Sequence, residues 1–438
     1  MKKLNIAIAM LAVGASVRAW GLSATVSSVD WNAEKRQFTV GYELSGGGAM
    51  VTFDALDGDT PLGGEKLRAA YGAINMRVDA GSHSFVWQAD DSWTGTANNV
   101  TIRVKAWAYD NPPPYMSVAC FGSHAMNYYA GEEYLPYAVT NQYYKQDAIL
   151  FKRIPAKGIT WMMGTAGATG HAAQHRVTFT NDYYVGVYPL TLGQYRNIAR
   201  WDSDSGNFST VLAAGGASAP AIAVEYTTDL SAYGRARPLV WAASLRWYIR
   251  DAEAASDTAG TWPRDGHRII ASTRFLAKLR GYAPGYAFDY PTEAQWEYAC
   301  RGGKGTKYCN GSDSNPDSVA WYTNNNTDDP HWVEGLPHAV GLKDPNGFGL
   351  YDIMGNVREA CLDNWDSDTA MPDATDPPGP AYEDVSQDAS GRVSAKVVKG
   401  TAFSDSSVRD AGGYSTYQPG YQNVAHGIRL FCVAEYSE

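Results

Sequence analysis

The chain has 438 residues, of which 45% are hydrophobic and 19% charged, the balance of a globular protein with room for two or three domains. Its formal net charge of −10 argues against nucleic acid or an anionic membrane surface as a partner. Aromatic residues are frequent, at 13%, and the chain also contains 44 glycines. This combination favours a turn-rich fold over a helical bundle.

The N-terminus has the pattern of a secretory signal peptide. Two lysines precede an apolar run from Leu4 to Ala15, and small residues at 17–19 offer a cleavage site, with a second one at 22–24. The apolar run is too short for a membrane-spanning helix, and no later stretch reaches the necessary length. We therefore interpret residues 1–19 as a signal peptide and predict a secreted or periplasmic protein without a membrane span.

The chain has five cysteines, at Cys120, Cys300, Cys309, Cys361 and Cys432. In an exported protein such residues can form stable disulfides. An odd number leaves at least one of them unpaired or paired between chains. No CxxC motif is present, which argues against a zinc ribbon.

Residues 24–115 show the alternation and turn residues of short β-strands. The segments 37–44, 49–53, 84–88 and 100–108 alternate apolar and polar residues, with Gly, Asp and Asn between them. We predict a β-sandwich domain of fibronectin-type-III size. The acidic segment 54–59 mimics part of a calcium loop but lacks the closing Glu of an EF-hand, so we interpret it as a hairpin turn.

Residues 116–149 are interpreted as a connector, and 150–438 as a second domain. Strands are predicted at 149–154, 158–163 and 176–187, and helices at 191–201, at 238–250 and after the capping residue Thr292. Beyond Gly302 the chain is rich in loops, with short strands only at 396–398 and 427–433. The sequence therefore predicts an α+β domain with little regular structure.

The segment Asn346–Glu359, NGFGLYDIMGNVRE, combines large apolar residues with three glycines and two asparagines. This mixture is typical of neither an amphipathic helix nor an alternating strand. Since glycine and asparagine accept left-handed backbone, we predict a buried, irregular and well-fixed loop. Its buried backbone groups need partners, and a cation is one candidate, with the carboxylates of Asp352 and Glu359 at hand.

Several segments of the second domain, in order, resemble the formylglycine-generating enzyme, or sulfatase-modifying factor, family. The most specific are PTEAQWEYACRGG at 291–303 and PNGFGLYDIMGNVRE at 345–359; YPLTLGQY at 188–195 and GIR at 427–429 add to them. The resemblance covers about 285 residues, from roughly 150 to the end. It implies the loop-rich α+β fold of that family, which is distantly similar to C-type lectin domains.

In the family, two cysteines hold copper and activate oxygen to convert a sulfatase cysteine to formylglycine. The corresponding stretch here reads KGTAFSDSSVRDAGG, which places Asp405 and Asp410 at the two cysteine positions, and no cysteine occurs between 362 and 431. A carboxylate cannot replace the soft thiolate that Cu(I) requires. We therefore predict no copper and no oxidase activity, and a binding or accessory module for a protein or carbohydrate ligand, with 202–236 and 366–392 as candidate binding loops.

The alternative is an oxidoreductase of the same family with a rebuilt metal site that modifies a protein or small-molecule thiol. Asp405, Asp410 and His426 would then be the hard-metal ligands. Iron-dependent relatives hold their metal with a histidine cluster, but the close pair His171 and His175 has no nearby carboxylate in sequence and is interpreted as part of a surface loop. His338 matches a family position that is interpreted as structural.

The resemblance also implies a structural Ca²⁺ in the segment 346–359. Carried over, its ligands are Asp352, the carbonyls of Gly355 and Val357, and Glu359, a set of hard oxygen donors that suits Ca²⁺. The alternative is that the two carboxylates only cap local amides. A second family calcium site would lie upstream, but the counterpart at 324–329 lacks the family pattern and stays open.

Finally, the resemblance implies a disulfide between Cys300 and Cys432, with Cys309 and Cys361 as a possible second pair and Cys120 left over. Arg429 and Glu297 are expected as a buried structural pair or as loop clamps. The aromatic residues of the motifs, Trp296, Trp321, Tyr351 and Trp365, are expected to serve packing.

Overall fold

The computed structural model describes residues 21–89, 91–199, 235–238, 275–365, 370–377, 396–417 and 425–434. The predicted signal peptide, all but the first residue of the helix predicted at 238–250 and most of the two candidate binding loops lie outside these ranges. The chain divides into two compact units, Met1–Ser117 with Met126–Asn141, and Val118–Ala125 with Gln142–Glu438. The segment predicted as a connector is thus shared between both units. In the described part of the chain, no helix is long and apolar enough to cross a membrane.

The first unit contains two antiparallel sheets, with the strand orders β1-β2-β7-β5 and β4-β3-β6, and β8 pairs with β3. The elements are β1 (Ser23–Asn32), β2 (Gln37–Ser45), β3 (Ala49–Asp57), β4 (Thr60–Pro61), α1 (Gly63–Leu67), β5 (Ala70–Gly72), β6 (Met76–Val78), β7 (Gly81–Gln88) and β8 (Val100–Trp107), followed by β9 (Tyr115–Ala119) and β10 (Met126–Tyr129).

The alternation seen in the sequence is the cause of this arrangement. Along β2 the side chains of Phe38, Val40, Tyr42 and Leu44 are buried, while the residues between them are more exposed. Strands of both sheets contribute to a single core, in which the rings of Phe38 and Trp87 stack with centroids 4.9 Å apart. The four predicted strands are present. The acidic segment 54–59 lies at the β3–β4 hairpin, as predicted.

The second unit is an α+β structure built on small sheets. Its elements are α2 (Tyr143–Gln146), β11 (Ala148–Ile154), β12 (Thr160–Met163), β13 (His175–Thr178), β14 (Tyr183–Gly186), α3 (Leu192–Ala199), α4 (Phe275–Tyr282), β15 (Tyr286–Asp289), α5 (Glu293–Arg301), β16 (Arg358–Asn364), β17 (Ala374–Thr375), β18 (Lys396–Lys399), β19 (Tyr414–Tyr417), β20 (His426–Gly427) and β21 (Phe431–Ala434). The orders β11-β14-β21-β15, β12-β13-β17 and β19-β18-β16-β20 describe its sheets.

Helix α5 is the central support of the site. The Thr292 hydroxyl caps the helix by accepting from the Gln295 backbone amide, and the Gln295 side-chain oxygen accepts from the Thr292 backbone amide. Gly302 ends the helix in the left-handed conformation. The buried face of the helix includes Trp296 and packs against β16 and β18. The capped helix predicted from the sequence is therefore confirmed.

Two predictions about strands were wrong. The strand predicted over 176–187 is two strands, β13 and β14, and residues 179–182 connect them. The region after Gly302 also contains β16 and β19, which the sequence did not indicate. The strand β16 was not predicted, because its sequence REACLDN buries polar residues on both faces and so lacks the alternation of a half-buried strand.

Candidate functional site

Residues 346–357 form a largely buried loop, as the composition predicted, but Arg358 and Glu359 already belong to β16 and Gly347 is exposed. Asn346 closes its start, because its side-chain amide donates to the carbonyls of Ala299 and Cys300 and its Oδ1 accepts from two amides of the loop. Gly349, Asp352 and Asn356 have φ values of 82°, 54° and 72°.

Asp352 is a buried carboxylate with one oxygen available. Its Oδ2 accepts from the Gly341 amide at 2.6 Å, while Oδ1 is buried and accepts no hydrogen bond from any residue in the described ranges. Burial raises the pKa of Asp352 to about 6, and the Gly341 amide and the Arg429 guanidinium offset only part of that effect. An ionised carboxylate in this position is incompletely compensated by the protein.

Glu359, in contrast, is fully engaged by a guanidinium. Arg429 Nε lies 3.0 Å from both carboxylate oxygens of Glu359, and Trp296 Nε1 donates to Oε2 at 2.6 Å. The other nitrogens of Arg429 donate to the carbonyls of Gly186, Val187 and Tyr351 at 2.7 to 3.0 Å. All of these groups are buried, so Arg429 clamps the loop to two other segments.

The two predicted calcium carboxylates therefore differ in their suitability for a cation. The free oxygen of Asp352 suits a hard cation, since a positive charge there would compensate a buried anion. A cation at Glu359 would have to displace the Arg429 guanidinium or lie beside it, at a cost in charge repulsion. Calcium binding by Asp352, Gly355, Val357 and Glu359 stays a prediction.

Asp405 and Asp410, the residues predicted to occupy the positions of the family cysteines, both have polar partners within the chain. Asp405 accepts from Arg358 through both oxygens, and from Arg409 Nη1 at 2.9 Å. Asp410 Oδ1 accepts from the Thr165 hydroxyl at 3.0 Å. His426 Nε2 lies 3.3 Å from Arg358 Nη1, and burial, reinforced by Arg358, lowers the pKa of His426 to about 4.

Asp405, Asp410 and His426 do not form a metal centre. Across the residues that the structure places, no group of three or more His, Cys, Asp or Glu side chains is arranged to hold a metal ion. The reason lies in the local charges: the guanidinium of Arg358 lies between Asp405 and His426, at the place where a metal would have to bind.

Comparison with known proteins places this geometry in a family. The sulfatase-modifying factor enzyme 1-like domain family matches residues 153–434. The chain belongs to the formylglycine-generating enzyme, or sulfatase-modifying factor, family. The recognition from sequence motifs is thereby confirmed.

Curated relatives of this sulfatase-modifying factor domain match it only in part. The chaperone protein LppX of Paenibacillus barcinonensis is 29% identical over 206 residues, 44% of this chain and 66% of that protein. The formylglycine-generating enzyme of Streptomyces coelicolor is 31% identical over 192 residues, 40% and 54% of the two chains. That of Mycobacterium tuberculosis is 37% identical over 103 residues, 22% and 33%. The chain thus spans less than two thirds of the length of each.

Solved structures also resemble the sulfatase-modifying factor chain. Treponema denticola variable protein 1 has a TM-score of 0.43 at 20% identity and covers 68% of this chain and 98% of its own. PvdO from Pseudomonas aeruginosa has a TM-score of 0.40 at 17% identity, with coverages of 65% and 94%.

A buried charge network beneath the sulfatase-modifying factor loop was not found by sequence reasoning. Lys399 Nζ lies 3.0 Å from Glu293 Oε1 and 3.2 Å from Glu297 Oε2, and all three side chains are almost inaccessible. Arg301 Nη2 lies 2.7 Å from Glu297 Oε1. Only the pattern of three charged residues on α5 could have suggested the network, because Lys399 lies about 100 residues away in sequence.

His171 completes this network, and its interpretation as part of a surface loop was wrong. Its Nε2 lies 2.6 Å from Glu293 Oε2, and both His171 and His175 are buried. Burial alone would lower the pKa of His171, but the hydrogen bond and charge of Glu293 outweigh burial and raise it. The carboxylate that partners His171 comes from α5, 122 residues along the chain, which is why sequence proximity did not reveal it.

Arg429 and Glu297 are both buried clamps, but they are not a pair. Arg429 binds Glu359, whereas Glu297 binds Arg301 and Lys399 and accepts from the Gly164 amide at 2.9 Å. The expectation of loop clamps is confirmed, and that of a mutual pair is wrong.

His338 supports the loop from the other side. Its Nδ1 lies 2.9 Å from Asp329 Oδ2, its Nε2 lies 2.9 Å from Asn326 Oδ1, and its ring stacks on Trp321 with centroids 3.9 Å apart. Burial lowers the pKa of His338 to about 4, even though Asp329 acts to raise it. Asn326 and Asp329, which belong to the counterpart of the second family calcium site at 324–329, are thus hydrogen-bonded to His338.

All five cysteines of the domain are free and buried, so the implied Cys300–Cys432 disulfide is absent. Cys432 lies on β21, in register with Tyr184 and Phe288. The Cys300 thiol, at the end of α5, is buried, and this burial raises its pKa well above the ordinary value, with Cys309 acting in the same direction. Cys361 lies on β16 and is free as well, so a Cys309–Cys361 pair is not present either.

Proposed function

We propose that this protein is an exported, non-oxidase member of the sulfatase-modifying factor family that acts as a binding or accessory module. The observation that carries the proposal is the state of the two positions where the family has its copper cysteines. Asp405 is neutralised by the guanidinium groups of Arg358 and Arg409, and Asp410 accepts a hydrogen bond from the Thr165 hydroxyl. With carboxylates in place of thiolates and Arg358 paired with Asp405, these two positions lack the ligands that oxygen activation at copper requires.

An accessory role has further support. One relative bears the name of a chaperone protein, and a chaperone role would be an accessory one. The predicted signal peptide at residues 1–19 supports a secreted or periplasmic location. The family's resemblance to C-type lectin domains favours a protein or carbohydrate ligand, bound through the loops 202–236 and 366–392, and a fibronectin-type-III-like character of the first unit suits an extracellular spacer.

A structural Ca²⁺ is part of this proposal. Asp352, with its free buried oxygen, is the anchoring ligand, and the carbonyls of Gly355 and Val357 are further donors; Glu359 would join them only if Arg429 released it. The ion would compensate the buried charge of Asp352 and thereby stabilise the loop 346–359.

Oxygen consumption and metal content together test the oxidase part. The full chain is incubated with copper and a cysteine-containing sulfatase peptide, with the Streptomyces coelicolor formylglycine-generating enzyme as the active control. We expect no formylglycine product and no stoichiometric copper. Turnover together with bound copper or iron would contradict the proposal and favour the alternative oxidoreductase.

Calcium is tested separately, by equilibrium dialysis against ⁴⁵Ca²⁺. Wild type and Asp313→Asn, which alters an exposed loop carboxylate, should bind the ion, and Asp352→Asn should not. Equal binding by Asp352→Asn would show that the ion, if present, lies elsewhere.

Ligand binding is tested by screening the full chain on immobilised glycans and on secreted proteins of the same source. We expect binding that is lost when residues 378–392, the part of the second candidate loop that follows β17 in the chain, are replaced by a short Gly/Ser linker. Binding that is indifferent to both candidate loops would exclude them as the ligand surface.

A further inference from the structure

One peptide bond of the second unit lies directly beneath the carboxylate of its own aspartate. The bond joins Asp329 to Pro330, and Asp329 Oδ1 accepts from the His331 backbone amide at 2.9 Å. This hydrogen bond closes a ring that runs from the carboxylate through the Asp329 carbonyl carbon and the Pro330 nitrogen to the His331 amide. The carboxylate is therefore folded over the bond that joins the two residues.

The same turn supplies a donor to the carbonyl oxygen of that bond. The Trp332 backbone amide donates to the Asp329 carbonyl at 3.1 Å, so residues 329–332 form a β-turn with Pro330 at its second position. When the Asp329 carbonyl carbon is attacked, negative charge develops on this oxygen. A backbone amide that already points at the oxygen stabilises that charge.

The other oxygen of the same carboxylate is anchored on its far side. Asp329 Oδ2 lies 2.9 Å from His338 Nδ1, and the His338 ring is itself fixed by its stack on Trp321, with centroids 3.9 Å apart. Asp329 is buried, whereas Pro330 is exposed to solvent. The carboxylate is thus held in one orientation, while water can reach the proline side of the bond.

The chain contains two other Asp–Pro bonds, at 344–345 and 376–377, which serve as internal references. The Asp376 carboxylate accepts from the Thr180 backbone amide at 3.1 Å and from the Thr180 hydroxyl, in another part of the chain. Asp344 is exposed to solvent. Among these three described bonds, the hydrogen bonds hold only the Asp329 carboxylate across its own bond to proline.

We propose that the protein cleaves its own chain between Asp329 and Pro330. Asp329 Oδ1 attacks the carbonyl carbon of the same residue, and the new C–O bond closes a five-membered anhydride ring as the C–N bond breaks. The proline nitrogen takes the electron pair of the broken bond and a proton from water. The hydroxide left behind opens the anhydride, so Asp329 ends with two carboxyl groups. In sum, one water molecule hydrolyses one peptide bond.

The cut would leave the two parts of the chain associated. Strand β21 follows the cut in sequence and pairs with β14 and β15, which precede it. The cleaved protein would therefore behave as one particle under native conditions and separate into two fragments when it is denatured. The inference does not depend on the proposed function, because the reaction needs no metal, ligand or partner protein.

Intact-mass spectrometry of the full chain tests the cleavage. The folded protein and a sample unfolded in guanidinium are incubated side by side at about pH 6 and denatured before each measurement. In the folded sample we expect one fragment that ends at Asp329 and one that begins at Pro330. Because the turn holds the carboxylate in place, they should form at least about tenfold faster than fragments from the other two Asp–Pro bonds. The unfolded chain lacks the turn and should lose this preference.

Matched variants identify the groups that react. Asp329→Ala removes the attacking carboxylate and should abolish the cleavage, and Pro330→Ala replaces the leaving proline nitrogen and should slow it. Asp344→Ala, at one of the reference bonds, should be cleaved like wild type. The inference would be overturned by wild type that stays intact, that is cut at all three Asp–Pro bonds at similar rates, or that is cut equally fast when unfolded. These outcomes are read from wild type alone, so they hold even if a variant fails to fold.

Discussion

Replacing Lys399 by methionine removes the cation at the centre of the buried charge network and keeps the length and apolar stem of the side chain. Glu293 and Glu297 then lose the ammonium that lies 3.0 and 3.2 Å from their oxygens. The Gly412 carbonyl, which accepts from Lys399 at 3.1 Å, loses its donor as well. Because these groups are shielded from water, solvent cannot replace the lost partner.

The size of the effect follows from the ionisation of Glu293. Burial alone would raise the pKa of this carboxyl, but Lys399 and His171 outweigh burial and lower it from 4.5 to about 2. At roughly 1.4 kcal/mol per pKa unit, this difference corresponds to about 3 kcal/mol of stabilisation at neutral pH. Breaking a buried ion pair from one side costs about 3–5 kcal/mol, so we expect Lys399→Met to lower the free energy of unfolding by that amount.

The pH dependence gives a second, independent signature. A carboxyl with a lowered folded pKa contributes stability above its unfolded pKa, and that contribution is lost as the pH falls from about 4.5 to about 2. Wild type should therefore lose stability through this acid range. Lys399→Met, which has already lost the interaction with the ammonium, should show a smaller decrease.

Urea unfolding followed by tryptophan fluorescence gives the free energy of unfolding of wild type and Lys399→Met. Measurements at pH 7 and pH 3.5 test both the loss of stability and its pH dependence. Arg176→Met is the matched control, since Arg176 and Asp373 form an ion pair with exposures of 68% and 61%, and such a pair contributes at most about 1 kcal/mol. The reasoning would be refuted if Lys399→Met cost less than about 1 kcal/mol, or no more than the control.

Three further substitutions probe the loop and its supports. In the presence of a chelator, Asp352→Asn should raise the free energy of unfolding by about 1–3 kcal/mol, because the raised pKa of Asp352 indicates an uncompensated buried charge. The same substitution should abolish stabilisation by added Ca²⁺. Thermal unfolding with and without calcium measures both effects. Gly355→Ala should cost about 2 kcal/mol or more, since its Cβ would lie 2.7 Å from Ala320 Cα, whereas Gly305→Ala, in open space, should be nearly neutral in urea unfolding. The pKa of His338 is lowered to about 4, so this residue contributes stability above pH 6.5 that is lost as the pH falls towards 4. His338→Asn should therefore reduce the change in the free energy of unfolding between pH 7 and pH 5 by up to about 2 kcal/mol. An unchanged slope of stability against pH would contradict a neutral, buried His338.

The parts of the fold that the sequence predicted are those whose signals are local. The alternation along β2 and the capping box at Thr292 depend on residues a few positions apart, and both elements are present. β16 was missed because its buried Glu359, Asp363 and Asn364 have partners elsewhere in the chain, so its sequence lacks the pattern of a strand. Burial of polar groups can be anticipated only when their partners are known.

For the candidate site, the sequence alone determined the family and predicted a buried loop over 346–359, and it predicts that Asp405 and Asp410 occupy the positions of the copper cysteines. These conclusions rest on which residues are present and on motifs within short segments. Only the tertiary structure decided which charge meets which: Arg429 with Glu359, and Lys399 with the carboxylates of α5. The physical reason is that an ion pair depends on a distance of a few ångströms, and folding sets that distance between residues that can lie a hundred positions apart.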